Sequence, residues 1–302
     1  MSKWLWLFLV TLCWIGSGLL ISGLPQGQDS FDTAPPTRVN RIVSMAPNLT
    51  EVLFALGLGD EVMGVTLDSD YPPAAEAKPK IGTFWQPNIE AVIAARPDLV
   101  ITLGFNRQRS IAERLKRIGY DCLLLDIDKV NGFFEAVRKI GSATGRRQEA
   151  NELEADIRKR LDNLAAFVGK DTSVRVLWVV QRQPLRVAGQ DTIVNEMIEL
   201  AGGENAIGPT LHKYPPIGAE QVIACRPDVI IEPAMGQKDL NGQTKEALEH
   251  WNKFRNLPAV RDGRIYVIDG DTVSRLGPRL YEGVEAIAKC LRPQLFENLS
   301  NE

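Results

Sequence analysis

From residue 41 onward, short runs of aliphatic and β-branched residues alternate with longer stretches whose apolar positions recur every three or four residues. The short runs are Arg41–Ser44, Val62–Val65, Leu99–Leu103 and Cys122–Leu125 in the first half, then Val174–Val180, Val229–Glu232 and Ile265–Ile268 in the second. Apolar runs of this length suit strands buried on both faces, the condition of a parallel sheet covered by helices. The alternation therefore predicts an α/β protein of two Rossmann-like lobes with mainly parallel sheets. Between the lobes, the stretch 146–168 carries Ala150, Leu153, Ile157, Leu161, Leu164 and Val168 on one helical face, with Gly169 as its stop. At about 1.5 Å per residue such a helix reaches roughly 35 Å, long enough to join the lobes. One helical strut limits hinge motion, so a ligand site between the lobes is expected to be largely preformed. The resulting division is an amino-terminal segment 1–24, a linker 25–37, an N-terminal lobe 38–144, a connecting helix 145–169 and a C-terminal lobe 170–302.

Two segments repeat. Glu90–Ile101 and Glu220–Ile231, offset by 130 residues, are identical at eight of twelve positions, among them Arg-Pro-Asp before each apolar run. Each copy reads as a short helix that ends ahead of proline, because the pre-proline residue disfavours helix, followed by a buried strand. A weaker pair of helices precedes the copies. Asn48 with Glu51 has the spacing of a capping box, Thr192 opens the second helix, and Gly57 and Gly202 supply left-handed stops.

The amino terminus breaks this pattern. One lysine, Lys3, precedes an uncharged apolar run from Trp4 to Leu24, the composition of an export segment that is either cleaved or retained as an anchor. Gly16-Ser17-Gly18 offers small residues for cleavage. Cys13 invites lipidation, but Leu12 before it is too large for the usual acceptor site. A tether with Pro25, Pro35 and Pro36 follows. The protein is expected to be exported, and either periplasmic or held on the outer face of the cytoplasmic membrane.

Charge and composition mainly exclude. Lys plus Arg number 35 against 38 Asp plus Glu in 302 residues, which leaves no excess of positive charge for a nucleic-acid partner. The two histidines, His212 and His250, rule out a site of three imidazoles, and neither a resident metal nor a cofactor is expected. Gly57-Leu58-Gly59 follows a helix and lacks the later glycine of a dinucleotide fingerprint, while Gly-x-Ser-x-Gly and phosphate-loop motifs do not occur. Beyond Cys13, Cys122, Cys225 and Cys290 read as buried thiols. Three aromatics flanked by prolines lie in loops of both halves: Tyr71, Trp85 and Tyr214. Such residues suit a cleft that grips a broad, flat, partly apolar ligand by stacking.

Taken in order, Arg41-Ile-Val-Ser-Met-Ala-Pro-Asn-Leu-Thr-Glu51, Ser69-Asp-Tyr-Pro-Pro73, Asn88-Ile-Glu-Ala-Val92, the two Arg-Pro-Asp segments, Gly202-Gly-Glu-Asn205 and Arg275-Leu-Gly-Pro-Arg279 resemble the class III, helical-backbone periplasmic binding proteins of ABC importers. That group binds cobalamin, ferric siderophores and haem. Ser-Asp-Tyr-Pro-Pro followed by Trp85 is most similar to the cobalamin-binding members, although Tyr214 stands where those members have tryptophan and Ala201 where some carry a disulfide cysteine. The resemblance implies a binding protein and not an enzyme, delivering a small-molecule metal chelate to a permease dimer with its ATPase subunits. It implies ligand contacts from Met45, Ala46, Pro47, Tyr71 and Trp85 in the first lobe and Gln181, Arg182, Tyr214 and Arg275 in the second. Glu90 and Glu220, at matching positions of the repeat, are the implied permease-docking residues. A ferric siderophore or haem is the alternative ligand, an anionic siderophore calling on Arg107, Arg182 and Arg275. Histidine-dependent zinc or manganese receptors fit poorly with two histidines, and a chelatase-like enzyme of similar bilobed form would need metal-handling histidines and no export segment.

Overall fold

The computed structural model describes residues 39–169, 173–234 and 239–299. The export segment, Cys13 and the tether lie outside them.

The first lobe holds a parallel sheet in the order β2-β1-β3-β4, with β1 Ile42–Ser44, β2 Val62–Val65, β3 Leu99–Leu103 and β4 Cys122–Leu125. The second lobe repeats it. There β5 (Val174–Arg182) pairs in parallel with β8 (Val229–Ala234), which pairs with β9 (Ile265–Asp269). On its other edge β5 receives two short strands absent from the sequence reading, β6 (Leu185–Val187) antiparallel and β7 (Gly203–Asn205) parallel. Strand β7 thus occupies the place of β2, and the pattern of hydrophobic runs missed it because Gly-Glu-Asn has no apolar residue.

The repeat has a local structural cause. Arg96 and Arg226 both adopt left-handed backbone, with φ of 46° and 41°, and this ends the helices Ile89–Ala94 and Ala219–Cys225. The stop therefore falls where the sequence put it, but a strained arginine makes it one residue ahead of the proline. The aspartate that follows then ties its strand to the first strand of the sheet. Asp98 Oδ2 accepts the Arg41 N–H at 3.0 Å, and Asp228 Oδ2 accepts the Arg175 N–H at 3.0 Å. Arg41 in turn donates to the Ala95 carbonyl, and Arg175 to the equivalent Cys225 carbonyl.

The connecting helix runs Arg147–Val168 and ends at Gly169, φ 67°, one residue shorter at its start than expected. Ala150, Ile157, Leu161, Leu164 and Val168 are buried along one stripe. They belong to an apolar cluster that extends from Leu49 and Leu53 through Phe133 and Val137 to Met197, Val284 and Ile287, so both lobes pack on the same strut. Polar contacts follow the apolar ones. Glu154 accepts from Arg138 and Arg158, whose guanidinium also lies 3.9 Å from the centre of the Phe134 ring.

The lobes are also clamped directly. Helix Pro47–Ala55 begins with proline at its first position and an uncapped Ala46, so the capping box expected from Asn48 and Glu51 does not form. Proline's fixed φ starts the helix without a side-chain cap. Both polar side chains instead reach the second lobe: Asn48 Nδ2 donates to the Leu276 carbonyl at 2.9 Å, and Glu51 accepts two hydrogen bonds from Arg279 at 2.9 and 2.6 Å. Beside them Arg275 Nη1 meets Asp70 Oδ1 at 2.5 Å. At a separate contact Lys129 pairs with Asp191 at 3.0 Å and Glu196 at 3.6 Å.

Two outcomes follow from the clamp. Glu51→Gln keeps the shape but leaves the largely buried Arg279 without its counter-charge, which should cost about 3 kcal/mol in denaturant unfolding. The second concerns acid. Burial pushes the Asp70 carboxyl up, but the hydrogen bond and charge of Arg275 outweigh it and hold it below its ordinary 3.8. A depressed folded pKa gives stability that is complete above 3.8 and lost as pH falls through the lower folded value. Between about pH 4 and pH 2 the melting temperature of the wild type should therefore fall more steeply than that of Asp70→Asn.

Candidate functional site

The carboxyl ends of both sheets lead to a cavity of about 660 Å³ between the lobes. The first lobe contributes Leu67, Asp68, Asp70, Tyr71 and Glu76, all from the segment after β2. The second contributes Ala234 at the end of β8, Leu240, and Asp269, Asp271, Arg275 and Arg279 after β9. Ligand sites in open α/β sheets lie beyond the carboxyl ends of strands, and this cavity obeys that rule twice.

Of the nine residues expected at the ligand, Tyr71 and Arg275 line this cavity. Tyr71 is 45% exposed and lies beneath Arg279, whose guanidinium carbon is 4.2 Å from the ring centre. The same arginine that clamps Glu51 thus fixes the tyrosine. Trp85 is 63% exposed at the tip of a neighbouring loop, edge-on to Phe84 at 4.7 Å and tilted against Phe105 at 6.4 Å. Its loop is joined to the cavity wall, since Leu67 N–H donates to the Gly82 carbonyl at 2.8 Å. Gly82 permits the join: its φ is 92°, and a Cβ there would stand 2.5 Å from the Gln86 carbonyl oxygen. Gln108, wholly buried, holds the loop from below by donating to the Phe84 carbonyl at 2.9 Å.

Met45 and Ala46 depart from expectation. Both are fully buried, Met45 against Val43, Ile81 and Val100 and Ala46 in the main core, because they end a central strand and enter the helix Pro47–Ala55. Their side chains have no free surface to offer a ligand; Pro47 is half-buried.

In the second lobe, Gln181 and Arg182 stand at the tip of the β5–β6 hairpin. Gln181 is exposed and donates to the Gln183 carbonyl at 2.5 Å. Arg182 is engaged within its own lobe, with Glu232 at 2.8 Å and Glu246 at 3.4 Å. Glu232, only 5% exposed, also accepts from Trp251 Nε1 at 2.6 Å, so this arginine and the buried indole share one carboxylate. Tyr214 is 41% exposed on the loop packed along the hairpin, where burial of its phenol raises the pKa. His250 stands edge-on to Trp251, and burial lowers its pKa; His212 is exposed.

Cys122, Cys225 and Cys290 are free thiols, the last two buried and the first half-buried. Burial pushes Cys122 up to about 11 and Cys290 up to about 12, values at which neither is an effective nucleophile at neutral pH. Among the described residues no group of three or more His, Cys, Asp or Glu side chains is arranged to hold a metal ion. The repeated glutamates, Glu90 and Glu220, are both exposed in the first turns of equivalent helices.

Sequence reasoning missed the acidic lining. Its signal was present: Asp68-Ser-Asp70 follows β2 and Asp269-Gly-Asp271 begins at the last residue of β9, two Asp-x-Asp motifs at the carboxyl ends of strands.

Comparison with known proteins agrees with this architecture. The chain is 30% identical over 264 residues to an uncharacterized ABC transporter substrate-binding lipoprotein, YvrC, of Bacillus subtilis, an alignment covering 85% of this chain and 81% of that protein. It is 29% identical over 265 residues to a vitamin B12-binding protein of Vibrio cholerae, covering 86% and 91% of the two chains. The crystal structure of a periplasmic heme-binding protein from Pseudomonas aeruginosa superposes with a TM-score of 0.75 at 26% identity, covering 85% of this chain and 94% of that one. The profile of the periplasmic binding protein family matches residues 42–272, and the chain belongs to that family, as an exported substrate-binding component of an ABC importer.

Proposed function

We propose that this protein captures a corrinoid of the cobalamin type between its lobes and presents it to the permease of its importer. The observation that carries the reading is the combination of an apolar rim with guanidiniums that are already paired. Leu67, Tyr71, Trp85 and Phe105 of the first lobe and Tyr214 and Leu240 of the second are large apolar side chains left 39% to 63% exposed. All lie on segments beyond the carboxyl ends of strands. Leu67, Tyr71 and Leu240 line the cavity and Trp85 packs against Phe105 on the adjoining loop, exposed apolar surface that suits a broad macrocycle with an apolar face.

Charge argues against an anionic ferric siderophore. Of the three arginines it would need, Arg182 is paired with Glu232 and Glu246, and Arg275 with Asp70 and Asp271. Arg107 is exposed on the helix Asn106–Arg117 and is not part of the cavity wall. The name of the Vibrio cholerae relative supports the corrinoid, whereas that of the Pseudomonas aeruginosa structure keeps haem as the alternative.

The remaining assignments belong to the same proposal. Trp85, Tyr71 and Tyr214 supply stacking surface, Gln181 a polar contact, and Pro47 an edge. Glu90 and Glu220 dock the two halves of a permease dimer. The apolar segment Trp4–Leu24 keeps the protein at the membrane.

Calorimetry on the full-length chain in detergent tests the ligand. Cyanocobalamin should bind one to one, with a panel of ferric siderophores and haem weaker, and Trp85→Ala should weaken it by about 2 kcal/mol, roughly thirtyfold. Tight binding of haem or a siderophore with no heat from cyanocobalamin would reverse the assignment. For docking, Glu90→Ala with Glu220→Ala should leave ligand affinity and melting temperature near wild type but abolish most uptake in vesicles carrying the cognate permease. Undiminished uptake would reduce both glutamates to partners of their helix dipoles.

A further inference from the structure

Among the described residues, the wall of the interlobe cavity holds more carboxylates than arginines. Both arginines are committed, Arg275 to Asp70 and Asp271 and Arg279 to Glu51. Asp269 is occupied with the turn below it, accepting from Thr272 Oγ1 at 2.6 Å and from the Asp271 N–H. Asp68 and Glu76 remain. Both are exposed, both line the cavity from the first lobe, and neither makes a hydrogen bond or ion pair among the described residues.

We infer that the cavity sorts its ligands by charge, with Asp68 and Glu76 favouring corrinoids of positive charge and turning away those with an added carboxylate. The inference rests on the corrinoid reading above and adds a selection rule to it. Its physics is that of an open, wet cleft. Water-like screening in about 20 mM salt limits each exposed carboxylate to about a 1.8-fold effect per unit of ligand charge at a separation of about 8 Å. Two uncompensated carboxylates acting over two charge steps multiply four such factors to about tenfold, and salt should erase the effect as the screening length falls from about 20 Å to about 3 Å.

Corrinoid chemistry offers a charge series on one skeleton. Cyanocobalamin is neutral, because the corrin ring, the phosphodiester and the cyanide each carry one negative charge against trivalent cobalt. Exchange of cyanide for water leaves one positive charge, and hydrolysis of a single peripheral amide to the acid leaves one negative charge. The full-length chain in detergent would be titrated calorimetrically with all three forms, at about 20 mM and about 1 M salt. Aquacobalamin should bind about tenfold more tightly than the monocarboxylate at low salt, and within about twofold of it at high salt. In the Asp68→Asn, Glu76→Gln variant, checked for a wild-type melting curve, the low-salt ratio should also fall to about twofold. Equal affinities in the wild type, or a tenfold ratio that survives in the variant, would overturn the charge rule and leave the corrinoid reading standing. Absence of heat with all three corrinoids would overturn both.

Discussion

The arrangement of the lobes depends on one ion pair. Glu51 is almost wholly buried, its side chain 2% exposed, and it takes both of its hydrogen bonds from a residue 228 positions away on the other lobe. Two charges removed from water in this way give little net stability, since desolvation offsets most of their attraction. What they impose is geometry. A planar guanidinium held at two points by a carboxylate fixes distance and orientation together, which a greasy contact would not. Arg279 passes that constraint on, because its outer face covers the Tyr71 ring while its hydrogen bonds hold Glu51. The placement of an aromatic in the cavity and the spacing of the lobes are thus set by the same side chain.

The two halves repeat where structure requires it and diverge where a ligand would meet them. At the amino ends of the strands, left-handed Arg96 and Arg226 and the locks by Asp98 and Asp228 are interchangeable parts. At the carboxyl ends the equivalence stops. Thr102 and Glu232 occupy the same position of the repeat, yet Glu232 anchors Arg182 and Trp251, while the Thr102 hydroxyl is buried without a partner. One sheet end supports a charged hairpin and the other an aromatic loop, so a ligand between them meets two chemically different walls.

What could be read from the sequence was what is local. Strand positions, the connecting helix and the Thr192 cap, whose side chain accepts from Asn195 N–H, depend on neighbours within a few residues and emerged from apolar spacing and cap chemistry. The helix at Pro47 shows the limit. Asn48 and Glu51 have a capping spacing, but Pro47 had already removed the need for a cap, and the actual partners, Leu276 and Arg279, lie far along the chain. Met45 and Ala46 show a related limit: a motif places a segment in the chain, whereas burial, complete for both side chains, decides which of its atoms are left exposed. Tyr71 and Trp85 stood out because the prolines that follow them kept them out of any periodic apolar face. The acidic wall did not, because aspartates after strands are also ordinary turn and cap residues, and Asp269 indeed serves as one.

Clamping has a consequence for binding energy. The connecting helix packs its buried stripe against both lobes, and ion pairs join the lobes at Glu51, at Asp70 and at Lys129. A cleft held this way loses little conformational freedom when a ligand enters, so more of the contact energy appears as affinity. The same clamping opposes release, because opening the cleft means breaking the contacts that join the lobes. The free energy for release must come from outside, through whatever surface draws the lobes apart. In the docking proposed above, Glu90 and Glu220 would transmit that pull, since each sits on a helix whose following Arg-Pro-Asp turn is bonded into the central strand of its own lobe. A pull on either glutamate would be borne by a whole lobe, and the interlobe bonds of Arg275 and Arg279 would be strained before the sheets.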